Sequence, residues 1–189
     1  MENILFIDGR NFISLAEEAV GKIDISVYDF CGLFDKVLSG VKVDRKVFYI
    51  GKLQIHQNTI GKSKELIEKQ RKMKNRLESQ GFEVVIAGRV RGQLEKGPFG
   101  YKILTFKEKG VDVKIAIDMV VTSYNNQLKT AIICSSDSDL QPAISELKNK
   151  GVERIYLGFE NSPNKGLMYT TNRSILIRNS ELKEFIRKI

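Results

Sequence analysis

Short apolar runs alternate with helix-spaced segments from end to end of this chain, which predicts an α/β protein with a central, mainly parallel sheet flanked by helices. Two further observations agree. The apolar runs at 4–8 (ILFID) and 131–137 (AIICSSD) both finish on carboxylates, and ligands of open α/β sheets sit in the crevice beyond the strands' carboxyl ends. The 189 residues, 42% hydrophobic and 29% charged, suffice to bury a core without disulfides or a structural metal, so one domain over 1–189 is expected.

Taken in order, residues 3–8 read as the first strand. Residues 11–20 and 26–39 have helical apolar spacing, with Ser26 as the cap of the second helix. A strand at 46–50 precedes a strongly charged helix at 63–80, whose Leu66, Ile67, Met73 and Leu77 allow one buried stripe and which Gly81 ends. Residues 82–87 form the third strand. The stretch 88–100 is broken by Gly88, Gly92, Gly97, Pro98 and Gly100, and 101–106 reads as a short strand that can be the second arm of a hairpin with 84–90. A basic, Gly-rich hairpin or loop insertion is therefore expected around 88–109. Phe99, Tyr101 and Phe106 alternate there with basic residues, which suits either single-strand stacking or packing onto the core.

Residues 111–124 are apolar on nearly all sides of a helix, which predicts complete burial. This helix still carries Asp112 in its first turn and Asp118 six residues later, about 120° around the axis. Asp118 has a simple partner in Lys114, four residues before it. An amphipathic helix at 139–150, strands at 154–159 and 174–177, and a terminal helix opened by Ser180 with Glu181 and Glu184 complete the chain.

The net charge of +8 is concentrated. Between 62 and 109 there are thirteen Lys or Arg against six Glu, an excess that suits a polyanion such as nucleic acid, or simply a solvated lysine-rich face. Cys31 and Cys134 lie in apolar patterns far apart, which predicts free thiols and a reducing, cytoplasmic location. No apolar run approaches the ~18 residues of a membrane span. No membrane partner is expected, and a homodimer is left open.

Asp8, Asp112, Asp137 and Asp139 come from three separate parts of the sequence, and a parallel sheet would bring them to one end. Two carboxylates ~5 Å apart repel by roughly 3 kcal/mol at an effective dielectric near 20, which a divalent cation relieves. Carboxylate oxygens suit Mg²⁺ or Mn²⁺, and with the single histidine, His56, in an unrelated stretch, zinc is disfavoured. Such a cation activates water and stabilises charge on a phosphoryl oxygen, the chemistry of phosphodiester hydrolysis. There is no GxxxxGK[ST] loop, no GxGxxG, no second acid two positions after Asp8 for an aspartyl-phosphate enzyme, and no Cys/His or Ser/His pairing.

Three blocks, ILFIDGRN at 4–11, KGVDVKIAID at 109–118 and CSSDSDLQPAISELKNKG at 134–151, together resemble the NYN family of PIN-like, LabA-like nucleases. The resemblance implies a three-layer PIN-like (Rossmann-like) fold and a Mg²⁺- or Mn²⁺-dependent ribonuclease site. It implies Asp8, Asp112 and Asp137 as the acidic core, Asp139 as a fourth member, Asn11 and Ser135 as polar supports, and Asp118 as a further metal candidate. Ser136, where many relatives have Gly, and Arg10 are departures that remove no carboxylate. Asn11, Ser135, Ser136, Lys109, Arg89 and Arg91 are the candidate substrate contacts. An RNA endonuclease is the leading expectation. A non-catalytic RNA-binding module and a structure-specific DNA nuclease are the alternatives, since nothing in the sequence reads the 2′-OH.

Overall fold

A computed structural model describes residues 1–55, 60–96 and 101–186; His56, Phe99 and the glycines at 97 and 100 lie outside the described residues, as do the side chains of 91–95 and 102–104. Seven strands form one mixed sheet in the order β4-β3-β2-β1-β5-β6-β7. These are β1 (Glu2–Asp8), β2 (Arg45–Leu53), β3 (Glu83–Lys96), β4 (Lys102–Lys109), β5 (Leu128–Cys134), β6 (Glu153–Phe159) and β7 (Arg173–Ile177). Every neighbouring pair is parallel except β3 and β4, so the expected parallel arrangement holds up to that edge and fails there.

Strand alternation divides the core in two. Leu5 and Ile7 face α1 (Gly9–Val20), α2 (Phe30–Val37), α3 (Ile60–Ser79) and α7 (Asn179–Glu184), while Ile4 and Phe6 face α4 (Val111–Tyr124), α5 (Gln141–Asn149) and α6 (Lys165–Thr170). Both faces of the sheet are thus covered, which is why β1 and β5 read as nearly unbroken apolar runs. Cys31 and Cys134 are free thiols. Among the described residues no helix is long and apolar enough to cross a membrane.

Several expectations are corrected. The second helix begins at Phe30 rather than near Ser26, because Asp24 takes both the backbone N–H and the hydroxyl of Ser26 in a turn while Asp29 caps the helix by accepting from Gly32 N. The helix α4 is not buried all round. Val111, Ile115 and Met119 are buried, but Val113, Ile117 and Val121 stay 55%, 50% and 50% exposed, since α4 lies on the sheet beside α5 and no layer of described residues covers its outer face. The 3₁₀ turn Ser138–Leu140 precedes α5, and α6 is an element the sequence pattern did not announce.

The largest difference is in β3. It continues through Gly88 instead of stopping before it, and 89–96 pair antiparallel with 102–109. The register with β2 slips by one residue there, from Gly51 opposite Ala87 to Leu53 opposite Val90. Gly88 absorbs the extra residue at φ 61°, a conformation that disfavours a side chain. Gly88 is here a bulge that carries β3 on into the expected hairpin, whose first arm reaches further, to Lys96, than the 84–90 expected.

Candidate metal and phosphate site

The order of strands reverses at β1, which has β2 on one side and β5 on the other, so the carboxyl ends of β1 and β5 open a crevice. Asp8 ends β1 and caps α1, its Oδ1 accepting from Asn11 N at 3.0 Å. The Ser135 hydroxyl, beyond β5, donates to Asp8 Oδ2 at 3.4 Å and accepts from Asp137 N at 3.1 Å. Asp137 in turn caps the 3₁₀ turn by accepting from Asp139 N at 2.9 Å. Each carboxylate is therefore aimed by the local chain that follows it.

Asn11 joins the two strand ends. Its Nδ2 donates to Ser136 Oγ at 2.8 Å and its Oδ1 accepts from Ser136 N at 2.9 Å. Asn164, before α6, donates from Nδ2 to the Ser136 carbonyl at 2.8 Å, so the turn that presents Asp137 is held from both sides. Asn11, Ser135 and Ser136 thus spend these groups on one another and on the aspartates. Asn164 was not singled out in sequence, where an Asn after Pro163 reads as an ordinary turn residue.

Oxygens of Asp112, Asp137 and Asp139 lie within 4.8 Å of one another, and among the described residues this is a group able to hold a metal ion. Asp112 reaches it from the first turn of α4. Asp8 lines the same cavity as Asp112 and Asp137 and is 8% exposed. Its pKa is raised chiefly by burial and further by the charges of Asp137 and Asp112, against the Asn11 N–H and the Ser135 hydroxyl, which lower it. Asp118 is elsewhere. Lys114 Nζ lies 2.6 Å from its Oδ1 and the Tyr49 hydroxyl donates to its Oδ2 at 3.0 Å, so the carboxylate is engaged on both oxygens and does not join the group.

The crevice is a cavity of about 650 Å³ whose lining includes the acids Asp8, Asp112, Asp137 and Glu108, the cations Arg10, Lys107 and Lys109, and Asn11. Arg10 spans the mouth, donating from Nη2 to the Phe106 carbonyl of β4 at 2.9 Å. Lys109 stands opposite Arg89 in the hairpin register, and Lys107 opposite Arg91; Arg89 is exposed, and the Arg91 side chain is outside the described residues. Glu108 is a further carboxylate in the wall, absorbed in sequence into a run of alternating charge. Its pKa is raised, by burial first and then by Asp8, with the charge of Arg10 opposing.

All donors at the acid group are hard carboxylate oxygens, and no described His or Cys stands among them. That set suits a hard divalent cation. The fold and site together are those of an α/β protein with an acidic group able to hold a metal ion at its strand ends, in a cavity that basic side chains also line. The chain belongs to the NYN domain family, a nuclease-like family whose model matches residues 3–178. Among solved structures it is similar to a protein of unknown function from Vibrio parahaemolyticus, at 16% identity over 93% of each chain with a TM-score of 0.60, a likeness of fold. No curated protein matches the chain.

Proposed function

We propose that this protein is a metal-dependent endoribonuclease of PIN-like architecture. The observation that carries the proposal is that one cavity is lined both by Asp112 and Asp137, which with Asp139 form the acid group, and by Arg10, Lys107 and Lys109. Carboxylates alone would repel a phosphodiester, and cations alone would bind it without a means to cut it. A Mg²⁺ or Mn²⁺ ion bound by Asp112, Asp137 and Asp139 would supply an activated water and charge stabilisation at the phosphoryl group.

The chain's own residues divide the remaining work. Asp8, buried in the lining of the same cavity, adds negative charge that strengthens cation binding. Asn11 and Ser135 fix the relative position of the two strand ends. Arg10, Lys107 and Lys109 hold the phosphates on either side of the scissile one, with Arg89 and Arg91 continuing along the hairpin. The rigid sheet sets all of this before substrate arrives, which lowers the entropic cost of alignment.

The test is cleavage of end-labelled single-stranded RNA with Mn²⁺, with Mg²⁺ and with EDTA, beside Asp137→Asn, which keeps the shape and removes the charge. Cleavage that requires metal and falls at least about a thousandfold in the variant is expected. Equal cleavage by both proteins, or RNA binding with no cleavage by either, overturns the nuclease reading; the second result leaves a binding module. Single-stranded DNA as a parallel substrate separates RNA from DNA preference.

A further inference from the structure

We propose that Glu108 is a positioning residue for this site, forming with Gly51 a latch that keeps the base of the β3–β4 hairpin, and the cations it carries, at the mouth of the acid cavity. The proposal rests on the nuclease reading for its kinetic consequence and on geometry for its existence. Glu108 Oε2 accepts from Gly51 N at 3.0 Å, 57 residues away in sequence. Gly51 lies two residues before the end of β2, where the ladder with β3 slips by one residue before it resumes at Leu53 and Val90. The carboxylate thus replaces main-chain pairing at the point where it is interrupted.

Gly51 is committed in both directions. While its N–H goes to Glu108, its carbonyl accepts from Gln70 Nε2 of α3 at 2.7 Å. A side chain here has no room: a methyl would run into the Glu108 carboxylate and would lie 2.7 Å from Val90 Cγ2. The approach of β4 to β2 therefore depends on glycine at 51 and on an acceptor at 108.

Consequences reach the cavity through neighbours of Glu108 in the chain. Lys107 and Lys109 flank it and line the cavity, and the Phe106 carbonyl two residues back receives Arg10. The acid group is anchored independently. Asp112 rides on α4, whose Val111 and Ile115 are 2% and 1% exposed in the opposite core, and Asp137 is set by Ser135, Ser136 and Asn11. Releasing the latch should therefore loosen the cations and leave the carboxylates in place. Glutamine at 108 would still accept from Gly51 N, so hydrogen bonding rather than charge carries this role.

The experiment compares wild type, Glu108→Ala, Glu108→Gln, Gly51→Ala and the Gly51→Ala/Glu108→Ala pair by steady-state cleavage of a short single-stranded RNA. Glu108→Ala and Gly51→Ala each should raise KM by about tenfold with kcat within about twofold, and the double variant should be no worse than either single one. Glu108→Gln should stay within about twofold of wild type in both constants. A Glu108→Gln variant as impaired as Glu108→Ala, a Gly51→Ala variant like wild type, or a fall confined to kcat would overturn the latch. Amide hydrogen exchange over 105–110 reads the same variants without any activity. Faster exchange in Glu108→Ala but not in Glu108→Gln is expected whether or not the protein cuts RNA, and unchanged exchange in Glu108→Ala overturns the latch even if cleavage is lost.

Discussion

Two regions carry the basic excess of this chain, and they use it differently. On α3, Lys69, Arg71 and Lys74 are paired with Glu65, Glu68 and Glu78 at 2.6, 2.7 and 2.8 Å, each partner one helical turn away. The cavity lining draws on α1, α4 and the hairpin base and takes nothing from α3. That helix contributes Met73 and Leu77 to the core and Gln70 to Gly51. At the base of the hairpin, by contrast, Lys107 and Lys109 border a group of carboxylates brought from other elements, and Arg10 crosses to meet them. Helical i,i+3 and i,i+4 geometry gives a cation a partner from its own segment. At the strand end the lysines line the crevice itself, where their charge acts on whatever occupies it. Counting charge along a window cannot separate the two cases.

The sharpest way to break that comparison is to neutralise each set. Lys107→Ala with Lys109→Ala should weaken RNA binding by about 20-fold or more near 50 mM salt and lower the log–log salt slope by about two, whereas Lys69→Ala with Arg71→Ala should change affinity less than about twofold. Equal losses, measured by fluorescence anisotropy across a salt series, would return α3 to the substrate track. A smaller effect, about threefold to fivefold on KM, is expected for Arg10→Ala, since it removes one guanidinium from the mouth and leaves the lysines.

Thermal unfolding gives the next prediction. Glu108 is an acid whose folded pKa is raised above the ordinary 4.5, so it binds its proton more tightly folded than unfolded. Its contribution to stability is then fully present below the unfolded value and is lost as pH rises through the folded one. In EDTA, Glu108→Gln should lessen the fall in Tm with rising pH through that range, and added Mg²⁺ should offset part of the fall in wild type; a pH slope identical in wild type and variant would deny the raised pKa. Asp8, shifted the same way, keeps some slope in the variant. Smallest of all, Glu65→Ala with Glu68→Ala should leave the urea unfolding midpoint nearly unchanged, because both pairs are exposed.

One helix shows how far local sequence reaches. The bounds of α4 coincide with the predicted 111–124, and its first-turn Asp112 arrives in the acid group, while Asp118 is held by the lysine one turn before it and by Tyr49 from β2. The lysine was legible because i,i+4 spacing is local; the tyrosine, 69 residues away, was not. Exposure of Val113, Ile117 and Val121 was equally illegible, since an apolar residue carries no mark of whether another layer will cover it. Glu108 and Asn164 escaped notice because a Glu among lysines and an Asn in a turn look the same with or without a distant partner.

By itself, then, the sequence determined the alternation of strands and helices, the carboxylates at the ends of β1 and β5, and the hard-oxygen chemistry they favour. Those follow from periodicity and residue type, which act within a few neighbouring residues. Only the tertiary structure decided which acids meet, which cations face them, that Gly88 bends a strand instead of ending it, and that Gly51 and Glu108 close the gap this leaves. The physical reason is that hydrogen bonds, ionic contacts and burial depend on distances through space, and these are set by how the whole sheet is ordered.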